Sequence, residues 1–305
     1  MNNDAKVVLN TNLPLPPFYR GKVRDTYDIG NRLLIVVTDR ISAFDSILPC
    51  GIPDKGLVLN QLSIFWFNQT RNIIPNHLIE AVGDVRQLCA YLPDKTDFND
   101  LSYINGRSMI VKKVKRIDIE CVVRGYLSGS AWAEYQEHGT VSRINLSKGL
   151  QENQELPYPL FTPTTKADSG HDEPITMEEM KKLIGETLAD EMKQKSLAIY
   201  NCAREYAITR GIIIADTKME FGIDNGNLIL IDELLTPDSS RFWDESRYEA
   251  GKPQPSYDKQ PVRDWLAQAG WNKEPPAPML PPEVIEATTN RYLEAYEKIT
   301  GNNLD

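Results

Sequence analysis

Histidine is scarce in this chain: three are scattered over 305 residues, too few and too dispersed for a catalytic dyad to be read from spacing. Four cysteines, Cys50, Cys89, Cys121 and Cys202, stand far apart with no metal-type spacing. They read as reduced thiols, mostly buried packing residues. No apolar run approaches the ~18 residues that a membrane span needs. Residues 1–6 contain no apolar stretch, so no signal peptide is expected and the expected location is the cytoplasm. Positive charge is also short, with 34 Lys and Arg against 43 Asp and Glu, a net charge of -9. That balance argues against a general nucleic-acid binder, which would carry a basic stripe. Any anionic substrate must then be met by locally concentrated Lys and Arg. No internal repeat is evident. With 41% hydrophobic and 25% charged residues the composition is that of a globular protein. Its length allows about two domains and a substantial core.

Residues 19–40 read as a β-hairpin, with alternation over 22–29, a turn at Gly30 and Asn31, and a buried strand over 33–37. Helical periodicity runs over 57–74, clustering Leu59, Leu62, Ile64, Phe65 and Trp66, with Pro75 as a stop. Strands are expected over 109–114 and 117–123, split by the basic segment 112–116. The first domain is expected to end there, giving domains 1–115 and 116–305. A short helix over 131–137 runs to Gly139. Residues 151–175 are rich in Pro, Thr and Asp without periodicity and predict a mobile loop. Thr176 and Glu179 form a capping box opening a helix. A second helix over 188–210 has Leu188, Met192, Ile199, Ala203 and Tyr206 on its inner side. After a Pro-rich tail to Pro261 come a helix over 262–269 and a last one from Pro282 to Gly301, Pro at its start and Gly at its end. The class is α+β, with a strand-rich first domain and a mixed second one.

The most informative stretch is 211–232. Two apolar runs flank Asn225 and Gly226, the strongest short-range hairpin signal. A lone carboxylate out of water is costly unless paired, hydrogen-bonded or metal-bound. Yet Asp216, Lys218 and Glu220 stand at i, i+2 and i+4, on one strand face. A two-residue loop would pair Glu220 with Ile231 and send Asp232 to the opposite face. A three-residue loop with Gly226 left-handed would pair Lys218 with Asp232 and put Glu220 on the diagonal. The second is the expectation here, because it gathers carboxylates and an ammonium at one sheet end. That is the outline of a Mg-nucleotide site: hard oxygen ligands for the metal and a point charge for phosphate. The bland alternative is a structural salt bridge between Lys218 and Asp232.

Other motifs are thinner. Gly21 would let backbone amides approach a triphosphate, with Lys22 and Arg24 neutralising it; an exposed basic strand explains the same residues. The exit of the strand at Lys112 and Val114 offers free backbone groups for an adenine edge, or the lysines there are simply a solvated face. Arg124 leaves a buried strand, and the segment to Ser130 enters a helix, so hydroxyls and amides point out at a helix N-terminus. Such a place accepts phosphate, and Arg124 supplies a bidentate fork. Ser130 as a plain helix cap is the alternative. Arg241, fixed by Phe242 and Trp243, suits an anionic substrate or a structural ion pair. Thr38 to Asp45 ends a strand and turns polar, ahead of Asp54, Lys55 and Gly56. His171 receives no role.

Three segments, 120–130, 215–222 and 236–241, closely resemble SAICAR synthetase, the purine-biosynthesis family, and 21–24, 38–45 and 54–56 fit as well. The match runs in order over nearly the whole chain, and the tail at 257–265 resembles the longer subgroup to which the yeast enzyme belongs. Arg24 departs from the Lys of many bacterial members and keeps its charge; Asp118 stands where Pro is usual. The resemblance implies a strand-rich N-terminal domain with a Gly loop and a larger mixed α/β C-terminal domain. The nucleotide cleft would lie between them, as in kinases or ATP-grasp proteins. It implies that L-aspartate is condensed with a carboxylated aminoimidazole ribonucleotide (CAIR) using ATP and magnesium. Gly21, Lys22, Val23 and Arg24 would lie over the ATP phosphates, and the backbone at Lys112 and Val114 would hold adenine. Glu220 and Asp232 would hold magnesium, with Lys218 near the phosphoryl groups. Arg124, Ser130 and Arg241 would bind the phosphate and carboxylate ends of the ribonucleotide. Asp39, Ser42, Lys55, Glu120 and Asp216 would complete the pocket, and Asp216 or Asp39 would take the amine proton. The segment 162–173 would close over the reactants. Partners are small molecules alone, with a monomer or small homo-oligomer expected. A small-molecule kinase and a non-catalytic nucleotide sensor are the competing readings.

Overall fold

The structure, a computed structural model, describes residues 7–44, 46–92, 101–166 and 172–304. Asp45, His171 and residues 167–171 of the expected closing segment lie outside the described residues. The chain falls into two compact units. One comprises Met1–Phe65, His77–Lys113 and Tyr257–Asp305; the other comprises Trp66–Asn76 and Val114–Ser256. The break after Lys113 lies in the basic segment. The C-terminal 49 residues of the expected 116–305 domain, Tyr257–Asp305, instead belong to the first unit.

In the first unit a five-stranded antiparallel sheet has the order β1-β2-β3-β7-β6. Its strands are β1 (Pro17–Arg20), β2 (Arg24–Asp28), β3 (Arg32–Val37), β6 (Leu78–Val82) and β7 (Ser108–Lys112). The apolar run of β3 is what the hairpin expectation rested on: Leu34 and Val36 enter a core with Tyr27, Ile29, Leu88, Ile104 and Ile110. A second pair, β4 (Arg40–Ala43) and β5 (Ser46–Gly51), is antiparallel. Its apolar face, Ile41 and Leu48, together with Ile52 just after β5, is covered by Val262, Leu266 and Leu280. Those residues come from α5 (Gln260–Gln268) and the approach to α6 (Pro282–Thr300). The tail therefore joins the first unit because α5 has an apolar stripe and β4–β5 supplies the surface to bury it. Helix α1 (Lys55–Thr70) stops four residues before the expected end, Ile73 and Ile74 both donating to the Thr70 carbonyl.

In the second unit a six-stranded antiparallel sheet runs β11-β8-β13-β14, with β12 also on β8 and β15 also on β13. The long central strands are β8 (Lys115–Tyr126) and β13 (Ile212–Asp224), joined by β11 (Glu155–Phe161), β12 (Thr164–Thr165), β14 (Asn227–Ile231) and β15 (Ser240–Asp244). The stretch 151–175 expected as a loop thus supplies two strands. Pro157 and Pro159 hide β11 from a propensity reading, yet it lies at the sheet edge, where a missing N–H costs no ladder bond. Helix α2 (Ser130–His138) ends at left-handed Gly139, and the β9 (Thr140–Val141) and β10 (Ile144–Asn145) ribbon follows. The capping box at α3 (Met177–Ile184) is complete: Thr176 Oγ1 accepts from Glu179 N at 3.1 Å, and Glu179 Oε2 accepts from Thr176 N at 2.7 Å. Helix α4 (Glu186–Ile208) packs on β13 and β8 through Met192, Ile199, Tyr200 and Ala203, all buried. Tyr200 Oη donates to the Ile214 carbonyl at 2.7 Å. A Cβ at Gly125 would collide with that hydroxyl, so β8 needs glycine there.

Candidate active site

Register decides which acids meet, and the structure corrects the expected register. β13 and β14 pair Glu220 with Ile231 and Asp224 with Asn227, leaving a two-residue loop. Asn225 and Gly226 both have positive φ, 50° and 84°, as the primed hairpin turn requires. Asn tolerates the left-handed region, so the Asn-Gly pair takes the two-residue form rather than the three-residue one. Lys218 accordingly does not pair with Asp232. Asp232 still bears on the cluster through its charge. It leaves β14 with φ 67°, so the two-residue alternation stops at Ile231, and its charge acts on Lys166.

Strand β8 lies on the other side of β13 and sets Glu120 directly opposite Glu220. Like charges facing each other across a ladder are destabilising unless cations intervene. Two do. Lys218 Nζ is 2.7 Å from Glu120 Oε2, while Lys166 Nζ is 2.5 Å from Glu220 Oε1 and 3.6 Å from Glu120 Oε1. Burial works against the Lys166 charge, but Glu220, then Glu120 and Asp232, outweigh it and raise its pKa. Lys218 is half exposed and keeps an open side toward solvent. No three His, Cys, Asp or Glu side chains among the described residues stand close enough to form a ready metal cage. The ammonium between Glu120 and Glu220 nonetheless marks a place where a cation is held by carboxylate oxygens, the donor type magnesium takes.

Four residues along β13 lies a second cluster. Asp216 is the partner of Arg124 on β8 and of Arg241 on β15, so register alone lines up the three side chains. The nearly buried Asp216 carboxylate accepts from Arg124 Nη1 at 3.2 Å and from Arg241 Nη1. Arg124 also donates through Nε to Thr162 Oγ1 at 3.1 Å and through Nη2 to Ser130 Oγ at 3.3 Å. Burial depresses the Arg124 pKa and Asp216 opposes that. Ser130 opens α2 without capping it; the N-cap is Gly129, with no side-chain bond. A Cβ on Gly129 would collide with Arg241 Nη2, and its φ of 57° is itself left-handed. Glycine there gives Arg241 its room.

In the first unit, Gly21 N donates to the Arg24 carbonyl at 2.7 Å, closing a tight turn that exposes Lys22 and buries Val23. Arg24 starts β2 opposite Val37. Arg40 pins this turn, donating to the Gly21 carbonyl at 3.0 Å and the Lys22 carbonyl at 3.1 Å while paired with Asp25 at 2.7 Å. Asp39 is fully buried and accepts from Val8 N, Gly56 N and Arg107 Nη1 at 2.7, 2.8 and 2.8 Å. It anchors the start of α1, where Lys55 is buried with Nζ 5.8 Å from the Tyr292 ring centroid. Ser42 is half-buried on β4, its carbonyl receiving Lys259 Nζ at 3.4 Å. Lys112 ends β7, its N–H given to the His77 carbonyl at 2.8 Å.

Val114 lies between β7 and β8, outside both ladders. A Cβ at Gly222 would sit 2.8 Å from Val114 Cγ2, so that glycine lets the link pass close to β13. Lys166, Arg40, Arg107, Gly129 and Gly222 are the residues that sequence reasoning missed. All act through partners many positions away, and only the glycines carried a local signal. A cavity of about 470 Å³ lined by Glu134, His138, Arg143 and Ile175 among others involves none of the candidate residues.

The profile of the SAICAR synthetase family matches residues 17–278. Phosphoribosylaminoimidazole-succinocarboxamide synthase of Thermodesulfovibrio yellowstonii is 52% identical over 295 residues, 96% of this chain and 99% of its own. The synthase of Geotalea uraniireducens is 52% identical over 300 residues, 97% and 99% of the two chains. Among solved structures, SAICAR synthase from Saccharomyces cerevisiae complexed with SAICAR gives a TM-score of 0.88 at 43% identity, covering 97% of this chain and 99% of that one. A type-2 SAICAR synthetase in complex with ADP gives 0.68 at 26%, covering 93% and 98%. With this profile over most of its length and such relatives over nearly all of it, the chain belongs to the SAICAR synthetase family.

Proposed function

We propose that the protein joins L-aspartate to CAIR, consuming ATP and releasing SAICAR, ADP and phosphate. The observation that carries this is the surface of β13, with the Glu120–Glu220 pair at one point and the Arg124–Asp216–Arg241 row four residues away. At about 3.3 Å per residue the two lie about 13 Å apart, a spacing of the order of a ribonucleotide's length. One end offers carboxylates and ammonium groups for phosphoryl transfer; the other offers two guanidinium forks for a phosphate.

A carboxylate is a poor electrophile. In the first step its oxygen bonds to the γ-phosphorus of ATP, the bond from that phosphorus to the bridging oxygen breaks, and ADP leaves. The amine of L-aspartate then bonds to the acyl carbon, the carbon–oxygen bond to phosphate breaks, and the nitrogen gives up a proton to the departing phosphate. Lys218 supplies a half-exposed positive charge for the transferring group, and little covalent work falls to the chain. Glu220 and Asp232 would hold magnesium, whose charge offsets that of the phosphate oxygens. Arg124, Arg241 and Ser130 bind the ribonucleotide phosphate, and Asp216 holds the two arginines in place. Gly21, Lys22, Val23 and Arg24 contact the nucleotide phosphates, with adenine at the backbone of Lys112 and Val114. Ser42, Lys55 and Glu120 complete the substrate contacts, and Asp39 braces the start of α1.

The test is an assay that omits ATP, L-aspartate and CAIR in turn. SAICAR and free phosphate should form only when all three are present. A stable phosphorylated product without aspartate would make the protein a kinase instead. Glu220→Gln should lower kcat by about 10²-fold or more, as loss of one preorganised charge does.

A further inference from the structure

Lys166 stands in the middle of the acidic cluster and has no part in the chemistry above. It directly follows β12, whose Thr164 and Thr165 pair with Glu120 and Ile119, and its own N–H donates to the Asp118 carbonyl at 3.1 Å. The backbone is thereby held along β8, while a flexible four-carbon stem carries the ammonium to Glu220 Oε1 at 2.5 Å and Glu120 Oε1 at 3.6 Å. The side chain is 24% exposed, against 13% for Glu220 and 8% for Glu120, so Lys166 is more open to solvent than either carboxylate it contacts. Because β8 and β13 set the two glutamates face to face, a cation on Glu220 relieves a repulsion that Lys218, on Glu120, relieves only in part. A magnesium ion on Glu220 would need its oxygen at 2.0–2.1 Å. An ammonium and a divalent ion cannot both press on that oxygen without repelling each other.

We propose that Lys166 is an internal countercation: its ammonium fills the carboxylate site in the metal-free protein and yields it to the divalent ion. The inference rests on the reading of Glu220 and Asp232 as the metal-holding acids. Lys166 keeps Glu120 and Glu220 from repelling in the free protein, and it sets the metal concentration at which the site loads.

Mn²⁺ is the probe, titrated into nucleotide-free protein with free ion followed by its electron paramagnetic resonance signal. Lys166→Met keeps the stem and removes the charge, and it should bind Mn²⁺ about tenfold more tightly than wild type, within the usual range for two coupled ligands. Lys166→Arg should behave as wild type, and Glu220→Gln should bind about tenfold more weakly or not at all. Equal, weaker or undetectable binding by Lys166→Met overturns the countercation role, even where Glu220→Gln shows that the metal reading stands. Unchanged binding by Glu220→Gln brings down the metal reading itself. Should Lys166→Met fold poorly, its thermal stability replaces the titration, since a ligand that binds the native state raises the midpoint. Mn²⁺ should then raise its melting temperature more than it raises that of wild type, and an equal or smaller rise overturns the proposal.

Discussion

Asp216 holds two guanidinium groups, and that occupation limits what its carboxylate can do. A nearly buried carboxylate paired through Oδ2 with both Arg124 and Arg241 is placed to fix their forks, and two guanidinium charges on it make it a poor acceptor for an amine proton. Asp216→Asn keeps the shape and removes the charge. A hydrogen bond to a charged group contributes about 1.5–3 kcal/mol, so the KM for the ribonucleotide should rise about 10- to 100-fold with a smaller change in kcat. Steady-state kinetics with each substrate varied in turn reads the split, and a collapse of kcat at constant KM would make Asp216 the base after all. Gly129→Ala reaches the same arginine from the other side. Its Cβ would collide with Arg241, so it should raise the same KM while the protein remains folded. At this scale the acids and arginines were legible because charged residues in a buried pattern demand an explanation. Lys166 and Arg107 were not, since nothing in a Thr- and Pro-rich stretch, or in a lone Arg before β7, names a partner 54 or 68 positions away.

Among elements, the β13–β14 hairpin shows where pattern reading ends. Both loop lengths satisfy the same alternation, and only the longer one would set Lys218 opposite Asp232. The turn itself prefers the shorter, and Asp232 bears on the Lys166 charge after leaving the strand in a left-handed conformation, which no periodicity announces. The registers differ in what they ask of Asn225. In the two-residue loop it is left-handed, so Asn225→Ala should lower stability by about 1 kcal/mol while Asn225→Gly is neutral. In a three-residue loop built on a type I turn, residue 225 would have negative φ and alanine would cost nothing. Denaturant unfolding of the two variants separates the cases. Strand β11 teaches the converse. Proline between apolar residues argues against a central strand, but an edge accepts it, and edge position is a property of the sheet rather than of the segment.

For the whole molecule, segment order and the α+β class were legible because each hydrophobic run has a local period. The unit to which the tail belongs was not. The contacts of Val262, Leu266 and Leu280 with Ile41, Leu48 and Ile52 span more than two hundred residues and leave no local trace. Burying a side chain of this size is worth about 1.5–3 kcal/mol. The three together therefore weigh as much as a large part of a domain's net stability of about 5–15 kcal/mol. A chain ending at Ser256 should for that reason fail to hold the first unit together, showing early unfolding and a loss of protected amides in β4 and β5 by hydrogen exchange. Leu266→Ala is the milder form and should cost about 2–5 kcal/mol by denaturant unfolding. Because β4 carries Ser42 and the chain after β5 carries Lys55 against Tyr292, both proposed substrate contacts, the same variant should weaken substrate binding more than its distance in sequence suggests. A chain cut at Ser256 that keeps wild-type stability and exchange protection would show that β4–β5 needs no cover, and that the tail merely rests on a unit already complete.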